Sequence, residues 1–191
     1  ITLQIVSIVF YTFIAFICIG LPIAVIPGYV HEQLGFSAVV AGVTIGSQYL
    51  ATLLSRPMAG RMSDNVGTKR AIVLGLAGIL ISGVLTFFAT LVDSLPSLSL
   101  GILIVGRLLL GVAQGLIGVG TISWCMGQVG AEHTARSISW NGIASYGAIA
   151  IGAPLGVVMV AEYGYTSLGI ALSVLAALGL VLIRNKPSVP V

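Results

Sequence analysis

The sequence predicts an all-α, multi-pass membrane protein: six transmembrane helices over residues 1–184, followed by a short tail at 185–191. Three observations predict it. The chain is 58% hydrophobic and only 7% charged over 191 residues, with a mean hydropathy of +1.14, and a soluble domain of that size could not keep so much apolar surface from water. The apolar residues fall into six runs of about 20 residues, the length of helix that crosses roughly 30 Å of hydrocarbon. The cations cluster in alternate turns, on one side only.

The runs lie near Ile5–Pro27, Ala38–Arg56, Ala71–Val92, Leu98–Thr121, Ile138–Val160 and Thr166–Ile183. Strands of a membrane barrel would be about half as long and would alternate polar with apolar residues, which these runs do not. The first is longer than the apolar region of a signal peptide and precedes no small-residue cleavage site, so it reads as a true span. The chain opens on Ile1 rather than Met, so further residues are expected before it.

The turns give the orientation. Val30–Ser37, Asp93–Ser97 and Ala161–Tyr165 contain no Lys or Arg, whereas Arg56, Arg61, Lys69, Arg70, Arg136, Arg184 and Lys186 all fall on the other side. The positive-inside rule then places both ends of the chain in the cytoplasm. The net charge of +3 is a property of these turns and says nothing about nucleic acid; the partner expected is the lipid bilayer, and no nucleic acid. Cys18 and Cys125 lie in apolar runs without C-x-x-C spacing, and His31 and His133 are isolated, so neither a disulfide framework nor a metal or cofactor site is expected.

Two features stand out against this apolar background. The first is Gly60-Arg61-Met62-Ser63-Asp64-Asn65-Val66-Gly67-Thr68-Lys69-Arg70, read as a tight loop between the second and third spans. Its charge alone is accounted for by a topology-fixing turn; its glycines permit sharp turns, and Asp64 can cap backbone N–H groups or pair with nearby cations. The second is Arg107, about nine residues into the fourth span and so about 13 Å from the edge. A guanidinium at that depth costs several kcal/mol unless paired or hydrated, so it is expected to face protein or water. Gln114 follows it on the same helical face, and Gln48 on the second span falls at a similar depth. Tyr11 and Tyr146, deeper on the first and fifth spans, and Asn141, nearer the cytoplasmic mouth, complete a set that reads either as interhelical glue or as a polar cavity lining around one depth. Trp140 reads as an interfacial anchor.

The Gly60–Arg70 segment resembles the signature between the second and third helices of the major facilitator superfamily, roughly G-x-x-x-D-r-x-G-r-r/k. Gly60, Asp64, Gly67, Lys69 and Arg70 fall on it, and Thr68 departs from it where a cation is common. Leu103–Gly115, an arginine followed by spaced glycines, is similar to the family's fourth-helix motif. Gly147–Gly156 is similar to its fifth-helix antiporter motif, G-x-x-x-G-P-x-x-G-G, but differs in spacing, with Ala153 before Pro154 and a single final glycine. Gly152 and Gly156 also form a small-xxx-small face suited to close helix packing, while Pro154 frees a backbone carbonyl and is expected to bend the span. Gly147, Gly152, Pro154 and Gly156 therefore read as a hinge or seal, or as packing alone. Gly42–Gly46 and Gly111–Gly115 repeat the spacing and are expected to be packing faces.

The resemblance implies a secondary transporter of alternating access. This chain would be the N-terminal six-helix half, built of two inverted three-helix repeats, with residues 185–191 starting a central linker. The second half would come from a missing part of the same chain or from a second copy in a two-fold pair. In that setting Gly60, Arg61, Asp64, Gly67, Lys69 and Arg70 act as a conformational latch against the partner half. The overall likeness is to the bacterial drug–proton antiporter and sugar-efflux branch, implying export of a small organic solute across a bacterial inner (plasma) membrane, with coupling to protons left open. None of the five carboxylates lies in a span core, so any proton carrier is in a missing half, at a span edge, or absent. An enzyme is not expected: an intramembrane serine protease needs Ser and His within spans, and both histidines lie in turns. A channel would repeat a pore-lining or filter sequence. A non-transporting sensor or assembly factor on the same scaffold is the remaining alternative.

Overall fold

In a computed structural model the described residues are 1–186. Within them the chain forms six long helices, all long and apolar enough to cross a membrane. They are α1 (Thr2–Ile23), α2 (Ala38–Val66), α3 (Thr68–Leu91), α4 (Pro96–Val129), α5 (Thr134–Tyr163) and α6 (Thr166–Arg184). The tail expected from Asn185 onward is seen only as far as Lys186; Pro187–Val191 lie outside the described residues.

The helices reach beyond the apolar runs. The first span continues through a short helix at Ile26–Gly28 and a π-helical turn at Tyr29–Gln33. The second continues a further ten residues past Arg56, to Val66. Hydropathy marks only the part of a helix that lies in oil; the flanking polar turns stay helical because nothing in them stops the backbone ladder. Pro57 and Pro154 sit inside α2 and α5 without ending either helix. In an interior position a proline forfeits one backbone hydrogen bond, a loss that neighbouring helices can make good in a membrane protein.

The largest correction concerns Gly60–Arg70. It is not a loop. Gly60, Arg61 and Asp64 lie on the last turns of α2, Lys69 and Arg70 on the first turn of α3, and only Gly67 lies between the helices. Gly67 adopts φ 102° and ψ 143°, a conformation with positive φ that a side chain resists. One glycine therefore makes the whole reversal.

Hydrogen bonds confirm that alternate turns share an end. At the acidic end, the Tyr29 hydroxyl contacts the Ser99 hydroxyl at 2.8 Å and donates to the Ala89 carbonyl at 3.1 Å. The Tyr29 and Tyr165 rings lie 4.9 Å apart, and Gln33 Nε2 donates to Asp93 Oδ2 at 3.3 Å. At the basic end, Lys69 Nζ donates to the carbonyls of Arg184 (3.2 Å) and Lys186 (2.5 Å). It closes the C-terminus of α6, where orphan carbonyls and the helix dipole both favour a cation.

Between helices, lipid offers no hydrophobic drive, so close packing and polar contacts decide which faces meet. α5 packs chiefly on α1, and α2 chiefly on α4. Both contacts run through glycine. A methyl group on Gly20 would sit 3.0 Å from Ile149 Cα, and one on Gly156 would overlap the Leu21 carbonyl. A methyl on Gly111 would overlap the Gln48 carbonyl, and one on Gly115 the Ser55 hydroxyl. The packing expectation for Gly111–Gly115 and Gly152–Gly156 thus describes these contacts. It fails for Gly42–Gly46, where an added Cβ meets nothing within 4 Å. Gly42 instead borders an open groove of about 500 Å³ between α1 and α2, lined also by Ile23, Pro27, His31, Glu32 and Ile45.

Two outcomes follow. Gly156→Val should cost about 1–3 kcal/mol through overpacking against α1, seen as a lower unfolding midpoint in detergent, whereas Gly42→Ala, placed in open space, should leave the midpoint within experimental error. Lys69→Met should speed amide exchange at Arg184–Lys186 while leaving the α3 core protected, and Lys69→Arg should restore part of the protection; unchanged exchange in Lys69→Met would show that Lys69 does not hold this end.

Candidate functional site

The polar residues expected around one depth do not form a single lining. The structure sorts them into a strip, a pair and two outliers. The strip lies between α2 and α4, where the glycine contacts bring the backbones together. Arg107 on α4 donates from Nη1 to Gln48 Oε1 and from Nη2 to Thr86 Oγ1 on α3, each at 3.4 Å, long for a hydrogen bond. The Thr52 hydroxyl lies 3.0 Å from the Gln48 carbonyl, 3.0 Å from the Gly111 carbonyl and 3.1 Å from Gln114 Oε1. Arg107, Gln48, Thr52 and Gln114 thus form one connected run along the α2–α4 seam.

Arg107 itself is 0% exposed. Of the two surroundings expected for it, protein or water, it meets protein: its own bundle encloses it. Its contacts reach Gln48 on α2 and Thr86 on α3, so with its own α4 three helices meet at the guanidinium. Its Nε and the Nε2 of Gln48 are both buried without an acceptor. Among the described residues no carboxylate approaches it; Glu32 lies in the π-helical turn, Asp64 near the end of α2, Asp93 between α3 and α4, Glu132 between α4 and α5, and Glu162 near the end of α5.

The pair joins α1 to α5. The Thr12 hydroxyl donates to Asn141 Oδ1 at 2.7 Å. Beside it on α1, Tyr11 is buried and lies parallel to Trp124 of α4, with ring centroids 6.2 Å apart and planes 9° from parallel. The Trp124 indole N–H is buried without an acceptor. Tyr146 stands apart: it is 76% exposed and joins neither group. Gly147 makes no close helix contact, whereas Gly152 and Gly156 lie against α1 on either side of Pro154.

In the signature segment, Arg61, Asp64 and Arg70 are exposed, and Asp64 forms no ion pair among the described residues. Lys69 differs, being engaged with the end of α6. Sequence reading missed Thr52, Thr86, Thr12 and Trp124. Thr52 was findable, since it lies one helical turn beyond Gln48 and so on the same face. Thr86 was not: nothing local to α3 indicates that its hydroxyl meets α4.

Comparison with known proteins agrees with this architecture. A family model described as Major Facilitator Superfamily matches residues 8–190. An uncharacterized MFS-type transporter of Burkholderia mallei (strain SAVP1) is 52% identical over 189 residues, covering 99% of this chain and 46% of the relative. An uncharacterized MFS-type transporter of Pseudomonas aeruginosa (strain LESB58) is 56% identical over 151 residues, covering 79% of this chain and 38% of the relative. The chain thus spans about half the length of the curated relatives it matches, or less. Among solved structures, the proton:xylose symporter XylE bound to 6-bromo-6-deoxy-D-glucose superposes with a TM-score of 0.80 at 17% identity, covering 99% of this chain and 46% of the symporter. The inward open conformation of the xylose transporter XylE from E. coli gives 0.77 at 18%, covering 97% and 49%. At such identity these two likenesses speak to fold alone. By the family match over nearly its whole length and by its bacterial relatives, this chain belongs to the major facilitator superfamily.

Proposed function

We propose that the complete protein is a secondary transporter of alternating access and that this chain supplies one of its two six-helix walls. The observation that carries this reading is the Arg107–Gln48–Thr52–Gln114 strip inside an otherwise apolar bundle. A guanidinium at mid-span costs about 2.5–3.5 kcal/mol even on insertion scales. Apolar residues would pack the same seam without that cost, so the strip is read as part of a solute path. Tyr11, Asn141 and Trp124 extend that path towards the basic end, and Tyr146 is assigned to the face that a second half covers.

The second half belongs to the same chain in this reading. The matched region makes up only 46% of a relative that is 52% identical, which supports one long polypeptide over a pair of short ones. The relatives are bacterial, supporting the inner membrane, and the charge asymmetry supports cytoplasmic ends, with residues 185–191 leading into a linker. Export of a small organic solute coupled to proton antiport is the transport mode the motif resemblance favours. With no carboxylate in a span core of this chain, the proton carrier is assigned to the other half.

Asp64 is the latch residue. Exposed near the end of α2, it is free to meet the N-terminus of a helix in the partner half, an arrangement that stabilises by about 0.3–1 kcal/mol. Gly147 and Pro154 serve as the flexible part of α5, with Gly152 and Gly156 as its seal on α1.

Substrate counterflow in proteoliposomes containing the full-length protein tests the reading, because a sensor binds solute without moving it. Asp64→Asn should insert normally and lower the counterflow rate about two- to fivefold, the kinetic equivalent of that latch energy. Wild-type rates in Asp64→Asn would remove the latch, and absence of counterflow in the wild type across a broad solute panel would favour the sensor.

A further inference from the structure

Arg107 carries a charge that its own bundle does not balance. It is 0% exposed, its two contacts are with neutral oxygens at 3.4 Å, and the five carboxylates of the chain lie in turns or near helix ends. Buried charges persist in proteins when they are paired and hydrogen-bonded. What the site still offers is donors: Arg107 Nε and Gln48 Nε2 are both buried without acceptors, on side chains already joined through Nη1 and Oε1. The Gln48 carbonyl oxygen is turned towards the guanidinium, so its amide N–H groups remain for a third party. A neutral hydroxyl could accept from these donors but would leave the charge unmet. A carboxylate answers both needs, and its two oxygens match the planar fork of a guanidinium.

We infer that Arg107 and Gln48 form a receiving site for a carboxylate, carried either by the transported solute or by a side chain of the second six-helix half. The inference rests on the transporter reading for the existence of those two sources, and on the geometry for the chemistry. Access requires α2 to part from α4 where Gln48 meets Gly111, the seam at which the two backbones touch. Thr86 accepts from Nη2, the nitrogen that shares an edge of the guanidinium with the unpartnered Nε, so an anion forking that edge takes over the long 3.4 Å Thr86 contact.

The test is the unfolding midpoint of the full-length protein in detergent micelles, titrated with acetate, benzoate and succinate, with acetamide and benzamide as neutral counterparts. If the solute carries the carboxylate, at least one of the anions raises the midpoint while its amide does not. Arg107→Gln then weakens that anion's apparent affinity by about tenfold or more, as expected for losing a charge-assisted hydrogen bond. Gln48→Leu, which keeps the cation and an apolar seam, weakens it less, and Arg107→Lys retains part of it. If the second half carries the carboxylate, no probe moves the midpoint, and one Asp→Asn or Glu→Gln substitution in the remaining spans couples with Arg107→Gln, the double variant being more stable than the carboxylate variant alone. Benzamide acting as well as benzoate, or no anion response together with no coupled carboxylate, would overturn the inference. Because the midpoint reads binding and not movement, a protein that responds to benzoate but shows no counterflow would sink the transporter reading and leave this site standing.

Discussion

Close approach of helix backbones at glycine is the constraint on which this bundle depends. Inside a bilayer the lipid tails are as apolar as leucine, so burying a side chain against another helix gains little over leaving it in oil. What distinguishes one helix face from another is how near two backbones can come. At Gly152 and Gly156 the α5 backbone lies on Gly20 and Leu21 of α1; at Gly111 and Gly115 the α4 backbone lies on Gln48 and Ser55 of α2. The same device is used twice between the two three-helix repeats, once for α1 with α5 and once for α4 with α2. Many large apolar side chains, Leu53, Leu54 and Val181 among them, are left on the outside, where in a soluble protein they would be a liability.

That constraint also explains where the polar strip lies. With α2 and α4 pressed together, the hydroxyl of Thr52 can reach the Gly111 carbonyl and Gln114 at about 3 Å, and Gln48 can reach Arg107. Larger residues on α4 would separate the two helices and strand each polar group in hydrocarbon. The packing motif and the polar motif are therefore interdependent, and a change in the first is transmitted to the second. The open groove between α1 and α2, by contrast, contains none of the strip residues.

The sequence was most legible where a physical signal is local. Hydropathy counted the six spans, and the loop charges grouped the turns into two ends, which Lys69 with α6 and Tyr29 with Ser99 and Tyr165 bear out as spatial neighbours. Spacing identified Gly111–Gly115 and Gly152–Gly156. The same spacing misled at Gly42–Gly46, because periodicity says that a face is small, not that a partner occupies it. Helix ends were read short, since the polar turns beyond Arg56 carry no hydropathy signal yet continue the α2 ladder to Val66. The enclosure of Arg107 depended on Thr86 and on the approach of α2, contacts between residues 21 and 59 positions apart. No local pattern encodes such a meeting.

The single-residue reversal at Gly67 has a mechanical corollary. Helices are stiff rods, and two rods joined by one residue have almost no slack between them. A tilt of α2 therefore becomes a torque on the first turn of α3, and there Lys69 is tied to the final carbonyls of α6. The hairpin and its lysine tether make a crank that links the seam beside Arg107 to the place where the polypeptide leaves the sixth span.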